Sequence, residues 1–300
     1  MAKLKVLGRY RNGNYNVTLY NDGTKIRENS EDKLIPDFPE CIDLNISNQC
    51  LRGCPFCYLD AKPTGKHGRF DYNFFKTLKP YTELAINFNS FKQLPEDLET
   101  WLFEMRERHI IVNLTINAHT LNEPGIGEML TKWKNKELIH GIGISISHLT
   151  NETKKIIQSW DNVVLHVICG IINKQDLYLM ANEDYKVLFL GYKTIGRGAN
   201  FEDENPVLLE FNLKETSRLL DDYIDKFKVC AFDNLALEQL NIKDKISTEE
   251  WNKYYMGDDG QYTMYIDLVT GTFAKNSISM KKYKITNNIK DMFNTVRNEK

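Results

Sequence analysis

CIDLNISNQCLRGCPFCYLD, residues 41–60, runs a short β-branched stretch straight into three cysteines. The first seven residues read as a strand, and the rest of the stretch reads as a loop rich in ligand-type side chains. From residue 41 onward the same rhythm repeats. CIDLNIS (41–47), ELAINF (83–88), IIVNLTI (110–116), GIGISIS (141–147), NVVLHVI (162–168) and YKVLFLG (185–191) are apolar runs of strand length. Between them lie stretches with helical spacing. In 94–105, Leu94, Leu98, Trp101, Leu102 and Met105 share one face, and in 213–227 Leu219, Leu220, Tyr223, Ile224 and Phe227 do the same. Thr150 and Asn151 cap the stretch ETKKIIQSW, and Asn122 precedes EPGIGEMLTKW with a proline near the first turn. Strand–helix units in succession predict an α/β chain with parallel strands and right-handed crossovers. A doubly wound open sheet and an incomplete α/β barrel both fit. In either, the working surface is the C-terminal edge of the strands, and the cysteines follow the first of them.

Cys50, Cys54 and Cys57 are spaced C-x3-C-x2-C. A closed zinc tetrahedron needs a fourth ligand, for which His67 in the same loop is a candidate. CPFC is a redox-type C-x-x-C, but that leaves Cys50 without a role. Three thiolates on one compact loop also suit an iron–sulfur cluster with one iron left open.

The remaining sequence narrows the setting. The chain has 300 residues and a net charge of −2, so no basic excess points to nucleic acid. The start, MAKLKVLGRYRNGNY, lacks the apolar core of a secretory signal, and no apolar run is long enough to span a membrane. The expectation is a cytoplasmic chain whose thiols stay reduced. Residues 1–38 carry the turn signals RNGNY and YNDGT and read as a β-meander with a proline-bearing linker. Residues 39–228 hold the repeating units. Residues 229–300 read as an α+β appendage, with VCAFDNLALEQL as strand and helix and a hairpin turning near Thr270–Gly271.

The cysteine string, with Phe56 in its aromatic slot, its place after the first strand and the strand–helix units resemble the radical S-adenosylmethionine (radical SAM) superfamily over about residues 41–228. This implies a partial (β/α)6 TIM-like barrel. It implies a 4Fe-4S cluster on Cys50, Cys54 and Cys57, with S-adenosyl-L-methionine on the open iron. It implies reductive cleavage of that cofactor to a 5′-deoxyadenosyl radical, which abstracts a substrate hydrogen. An electron donor such as flavodoxin or ferredoxin is implied as partner. The family's Gly-Gly-Glu-like stretch after the second strand is replaced by INFNSF, where Asn87, Asn89 and Ser90 offer amide and hydroxyl groups. Phe56, Asn117, Ser145, Ser147, His166 and Lys193 complete the expected cofactor-facing set. Ser145 and Ser147 share a strand face by the period of two, although small residues there also serve plain packing. A lone strand histidine such as His166 is often only a core residue. Lys193 and Arg197 would bring cations to the cofactor carboxylate or an anionic substrate group.

The C-terminal region resembles a SPASM-like extension stripped of its cysteines. That implies a peptide or protein substrate. The same chemistry on a small molecule or nucleotide, and a non-catalytic iron–sulfur or zinc module, stay open. Cys169, Cys230 and Tyr58 are candidate hydrogen donors, and Asp258 and Asp259 in MGDDGQ could engage a basic substrate group.

Overall fold

The computed structural model describes residues 4–31, 33–88, 94–160 and 162–299. The meander forms as expected. Strands β1 (Val6–Asn12), β2 (Tyr15–Tyr20) and β3 (Lys25–Glu28) make a three-stranded antiparallel sheet. Asn12 pairs with Tyr15 across a two-residue turn in which Gly13 takes φ +59°, a conformation that favours glycine.

The six predicted runs all become strands: β4 (Cys41–Asn45), β5 (Glu83–Asn87), β6 (Ile111–Asn117), β7 (Ile142–Ile146), β8 (Val163–Ile168) and β9 (Lys186–Leu190). The helices between them are α1 (Leu98–Glu107), α2 (Ile126–Asn135), α3 (Asn151–Ser159) and α4 (Lys174–Asn182). After β9 come α5 (Arg197–Glu204) and α6 (Pro206–Tyr223). Thr150 caps α3 as expected, its side chain accepting from the backbone of Thr153. The cap of α2 is Gly125 rather than Asn122, because Asn122 closes a separate 3-10 turn.

Strands β4 to β9 are parallel and stand side by side in chain order. An order without reversal excludes the doubly wound sheet, whose strand order turns back at a switch point. Crossovers of one hand then set the helices on one face. Burial agrees. Ile42, Leu44, Leu84, Ile86, Leu114, Ile144, Leu165, Val167, Val187 and Phe189 point to that face and are almost fully buried. The alternate positions are mostly polar and half-buried.

The C-terminal segment is part of the sheet instead of an appendage. Strand β10 (Val229–Phe232) extends it beyond β9, and α7 (Asn234–Gln239) and α8 (Thr248–Tyr254) come next. Strand β11 (Thr263–Asp267) joins the opposite side, parallel to β4. Strands β12 (Thr272–Ala274) and β13 (Tyr283–Lys284) add antiparallel, and α9 (Ile289–Arg297) ends the fold. The result is one mostly parallel ten-stranded sheet. Laid flat, β10 and β12 would stand about 38 Å apart at about 4.8 Å per strand. Yet Asn234, just after β10, donates to Asp259, and Lys193, just after β9, donates to Ser277, just after β12. The sheet therefore curls toward its polar face until its two sides meet at a seam.

The meander covers the N-terminal ends of β4 and β5 through a buried ionic cluster. Lys25 pairs with Glu83 and lies 3.8 Å from Glu40, and Arg27 donates to both oxygens of Glu40. Tyr15 donates to Glu40 at 2.6 Å. Burial alone would lower the Lys25 ammonium, but Glu83, Cys41 and Glu40 more than offset it and raise it. Among the described residues no helix is long and apolar enough to cross a membrane.

Candidate functional site

The cysteine loop leaves the C-terminal end of β4 and is closed at its neck by a ladder of backbone bonds. Asn48 and Lys62 donate to Lys66 and Asn48, Cys50 to Lys62, and Gly68 to Ile46. Ser47 accepts from the backbone of Gln49, and its hydroxyl is hydrogen-bonded to Nδ1 of His67 at 2.9 Å. Burial lowers the His67 imidazole. His67 thus pins the neck. Gly65 fits against the backbone of Asn48, where a Cβ would stand 2.0 Å from its carbonyl oxygen.

A second loop clamps the first from across the sheet. Arg197, at the start of α5, donates from Nε to the carbonyl oxygen of Cys54, and from one terminal nitrogen to Ala61 and Asp60. Its backbone N–H donates to the carbonyl of Cys57. Gly196 makes this contact possible: a Cβ there would lie 2.5 Å from the carbonyl oxygen of Tyr58, while Gly198 lets its own loop turn, since a Cβ there would lie 2.3 Å from the carbonyl oxygen of Lys193. The expectation gave Arg197 to a bound anion. Its guanidinium instead holds the cysteine loop. Phe56 lies edge-to-face on Phe201 of α5 at 6.0 Å, and Arg52 pairs with Glu123 beyond β6.

All six cysteines are free thiols. The Cys54 thiol is pushed up by burial and then by Cys57 and Cys50. Among the described residues no three His, Cys, Asp or Glu side chains converge to hold a metal ion. Cys50, Cys54 and Cys57 are thus three reduced thiols carried on one loop.

Below the loop lies the polar face. Asn117, Ser145 and His166 are lateral neighbours on β6, β7 and β8. The sequence selects each of them alone, and the register sets them in one row. Asn117 spends its carbonyl oxygen on the backbone of His119. Ser147 lies just past β7 with the same parity as Ser145. His166 has no hydrogen-bond partner among the described residues, and burial pushes its imidazole down to about 4. Its ring occupies the space over Gly143, where a Cβ would stand 2.3 Å from Cε1.

Asn87 turns its carbonyl oxygen to the backbone N–H of Ile46 at 3.3 Å, which steadies the loop's root. Asn89 and Ser90 lie outside the described residues. Lys193 donates to Ser277 at 2.8 Å and stands 4.2 Å over the ring of Tyr58. Burial pushes the Tyr58 hydroxyl up, with Lys193 opposing.

Asp43, on β4, is missed by the sequence reading, since CIDLNIS offers one acid in a strand and no motif. It lies at an exposed position of the polar face. Burial raises its carboxyl, Lys193 opposes, and Asp233 and Asp259 add to the rise. Lys193 and Asp233 follow β9 and β10, far from β4 in the strand order, and reach Asp43 because the sheet curls, whereas Asp259 precedes the adjacent β11.

No protein-family model matches the chain, and no curated protein matches it.

Two of the candidate hydrogen donors lie elsewhere. Cys169 is fully buried in the helix-side core, and burial raises its thiol. Cys230 pairs with Val187 of that same side, and burial pushes it up to about 12. Tyr58 alone of the three borders the polar face, next to Cys57.

Proposed function

We propose that this chain is a radical S-adenosylmethionine enzyme built on a partial α/β barrel, acting on a peptide or protein side chain. The observation that carries the reading is the cysteine loop itself. Three free thiols follow the first parallel strand, pinned at the neck and clamped by Arg197, above a concave polar face. Cys50, Cys54 and Cys57 would hold a four-iron cluster, which when bound supplies the electron that cleaves S-adenosylmethionine to a 5′-deoxyadenosyl radical. The chain's own residues bind and orient. The free amide of Asn117 and the hydroxyls of Ser145 and Ser147 line the face nearest the loop and suit a ribose or carboxylate. Unpaired His166 offers a neutral imidazole that donates and accepts without adding charge. Asp43 and Lys193 line the floor and set its polarity. The helix-side core and the meander keep water from the other face and the lower end.

Anaerobic reconstitution with iron and sulfide tests the reading. The expected result is about four irons per chain and release of 5′-deoxyadenosine on reduction with S-adenosylmethionine. Cys54→Ala is expected to abolish both. Iron uptake without cofactor cleavage leaves a non-catalytic module, and wild-type behaviour of Cys54→Ala overturns the assignment.

A further inference from the structure

A cleft of about 680 Å³ lies at the seam, away from the cysteine loop, between α7, α8 and the turn that precedes β11. Four acids from three elements line it: Glu238 on α7, Asp244 after it, and Asp258 and Asp259 on the turn. None forms an ion pair with a basic side chain among the described residues. Asp259 is fixed by two amides, Asn234 at 2.8 Å and Asn276 at 2.6 Å, and Asp258 by the hydroxyl of Tyr255. The acids are thus held as acceptors without an ion-pair partner among the described residues, although Lys243 and Lys275 also line the cleft.

The cleft also has an aromatic wall. Trp251 and Tyr255 stack with ring centroids 4.6 Å apart and 17° between planes. The indole already attracts a cation, since the exposed Lys243 ammonium lies 5.6 Å over it. The other lysine lining the cleft, Lys275, runs its side chain across Gly260. A flat cationic group that stacks on indole and takes carboxylates in a fork is a guanidinium. The cleft is linked to Lys193 and Asp43 through its own lining residues. Ser277, next to Asn276, takes the Lys193 ammonium, and Lys193 and Asp259 both act on Asp43.

We propose that the seam cleft binds an arginine side chain of a polypeptide substrate, with the indole of Trp251 as platform and Asp258 and Asp259 as carboxylate partners. This rests on the proposed peptide or protein substrate and names its class. Lys243 then competes with the guest for the indole.

The test is calorimetric titration of the full chain, without iron or S-adenosylmethionine, using a Gly/Ser octapeptide with two central arginines. The same peptide with citrulline in place of arginine removes the charge and keeps the shape. The arginine peptide is expected to bind at least about tenfold tighter, the worth of one charge-assisted hydrogen bond. Asp259→Asn should weaken it by about the same factor. Lys243→Ala, at an exposed site, should tighten it by about threefold, in the range of an exposed charge contact. Equal affinity for the two peptides, no binding of either, or weaker binding by Lys243→Ala overturns the proposal. Because no cofactor is present, failure here leaves cofactor cleavage measurable, and failure of cleavage leaves peptide binding measurable.

Discussion

Arg197 donates from Nε to the carbonyl oxygen of Cys54 at 3.0 Å, joining the loop after β9 to the middle of the cysteine loop. With its further bonds to Asp60 and Ala61 it ties down the loop backbone on both sides of Cys57. Arg197→Lys keeps the charge but loses the fork. It is expected to lose roughly tenfold in iron affinity, the usual cost of removing an outer partner of a metal site. Competition of the reconstituted protein against a chelator measures this. An unchanged affinity would show that the clamp has no part in holding the loop.

Gly143 leaves the space that the His166 ring fills. Gly143→Ala forces the imidazole to move and is expected to cost about 1–3 kcal/mol in urea unfolding. Combined with His166→Ala the cost should shrink, because the clash is gone. Additive costs would mean that the strain lies in the β7 backbone.

His166 titrates at about 4 in the folded chain and near the ordinary 6.5 when unfolded. Between those values the unfolded chain binds more protons, so folding stability falls as the pH falls. Above 6.5 the contribution is fully present. From pH 7 to 4.5 the wild type should lose about 2 kcal/mol more than His166→Gln, taking the whole shift as burial. Parallel pH profiles for the two proteins would place His166 in open water.

Lys25→Met leaves Glu83 and Glu40 buried under the meander with one cation fewer. The expected loss is about 3 kcal/mol or more. Adding Glu83→Gln should restore much of it, since the pair together is replaced by neutral groups. Thermal and urea melts of the two variants decide this, and a further loss in the double variant contradicts it.

The six central strands were legible because each is a short apolar or alternating run of strand length, as in NVVLHVI and CIDLNIS. Helix ends were less so: Asn122 is a good cap by composition, yet the chain spends it on a 3-10 turn and lets Gly125 start α2. The three cysteines were visible as a set because their spacing is local. What holds them was not, since Arg197 lies 143 residues from Cys54 and nothing in GYKTIGRGAN specifies its target. Asn87 shows the same limit, as an amide read for a ligand serves the backbone of Ile46. The parallel pairing of β11 with β4 is equally invisible in TMYID, which by itself reads only as one arm of a hairpin.

That pairing has a consequence for how the protein is made. Thr263 lies beside Cys41, so β4 has an open flank until more than two hundred further residues have left the ribosome. During synthesis the strand that roots the cysteine loop is an exposed edge, with unpaired backbone groups that invite a neighbouring nascent chain. Contacts this distant in sequence form late. A metal supplied to the cysteines before β11 docks would meet a loop whose root is only half built.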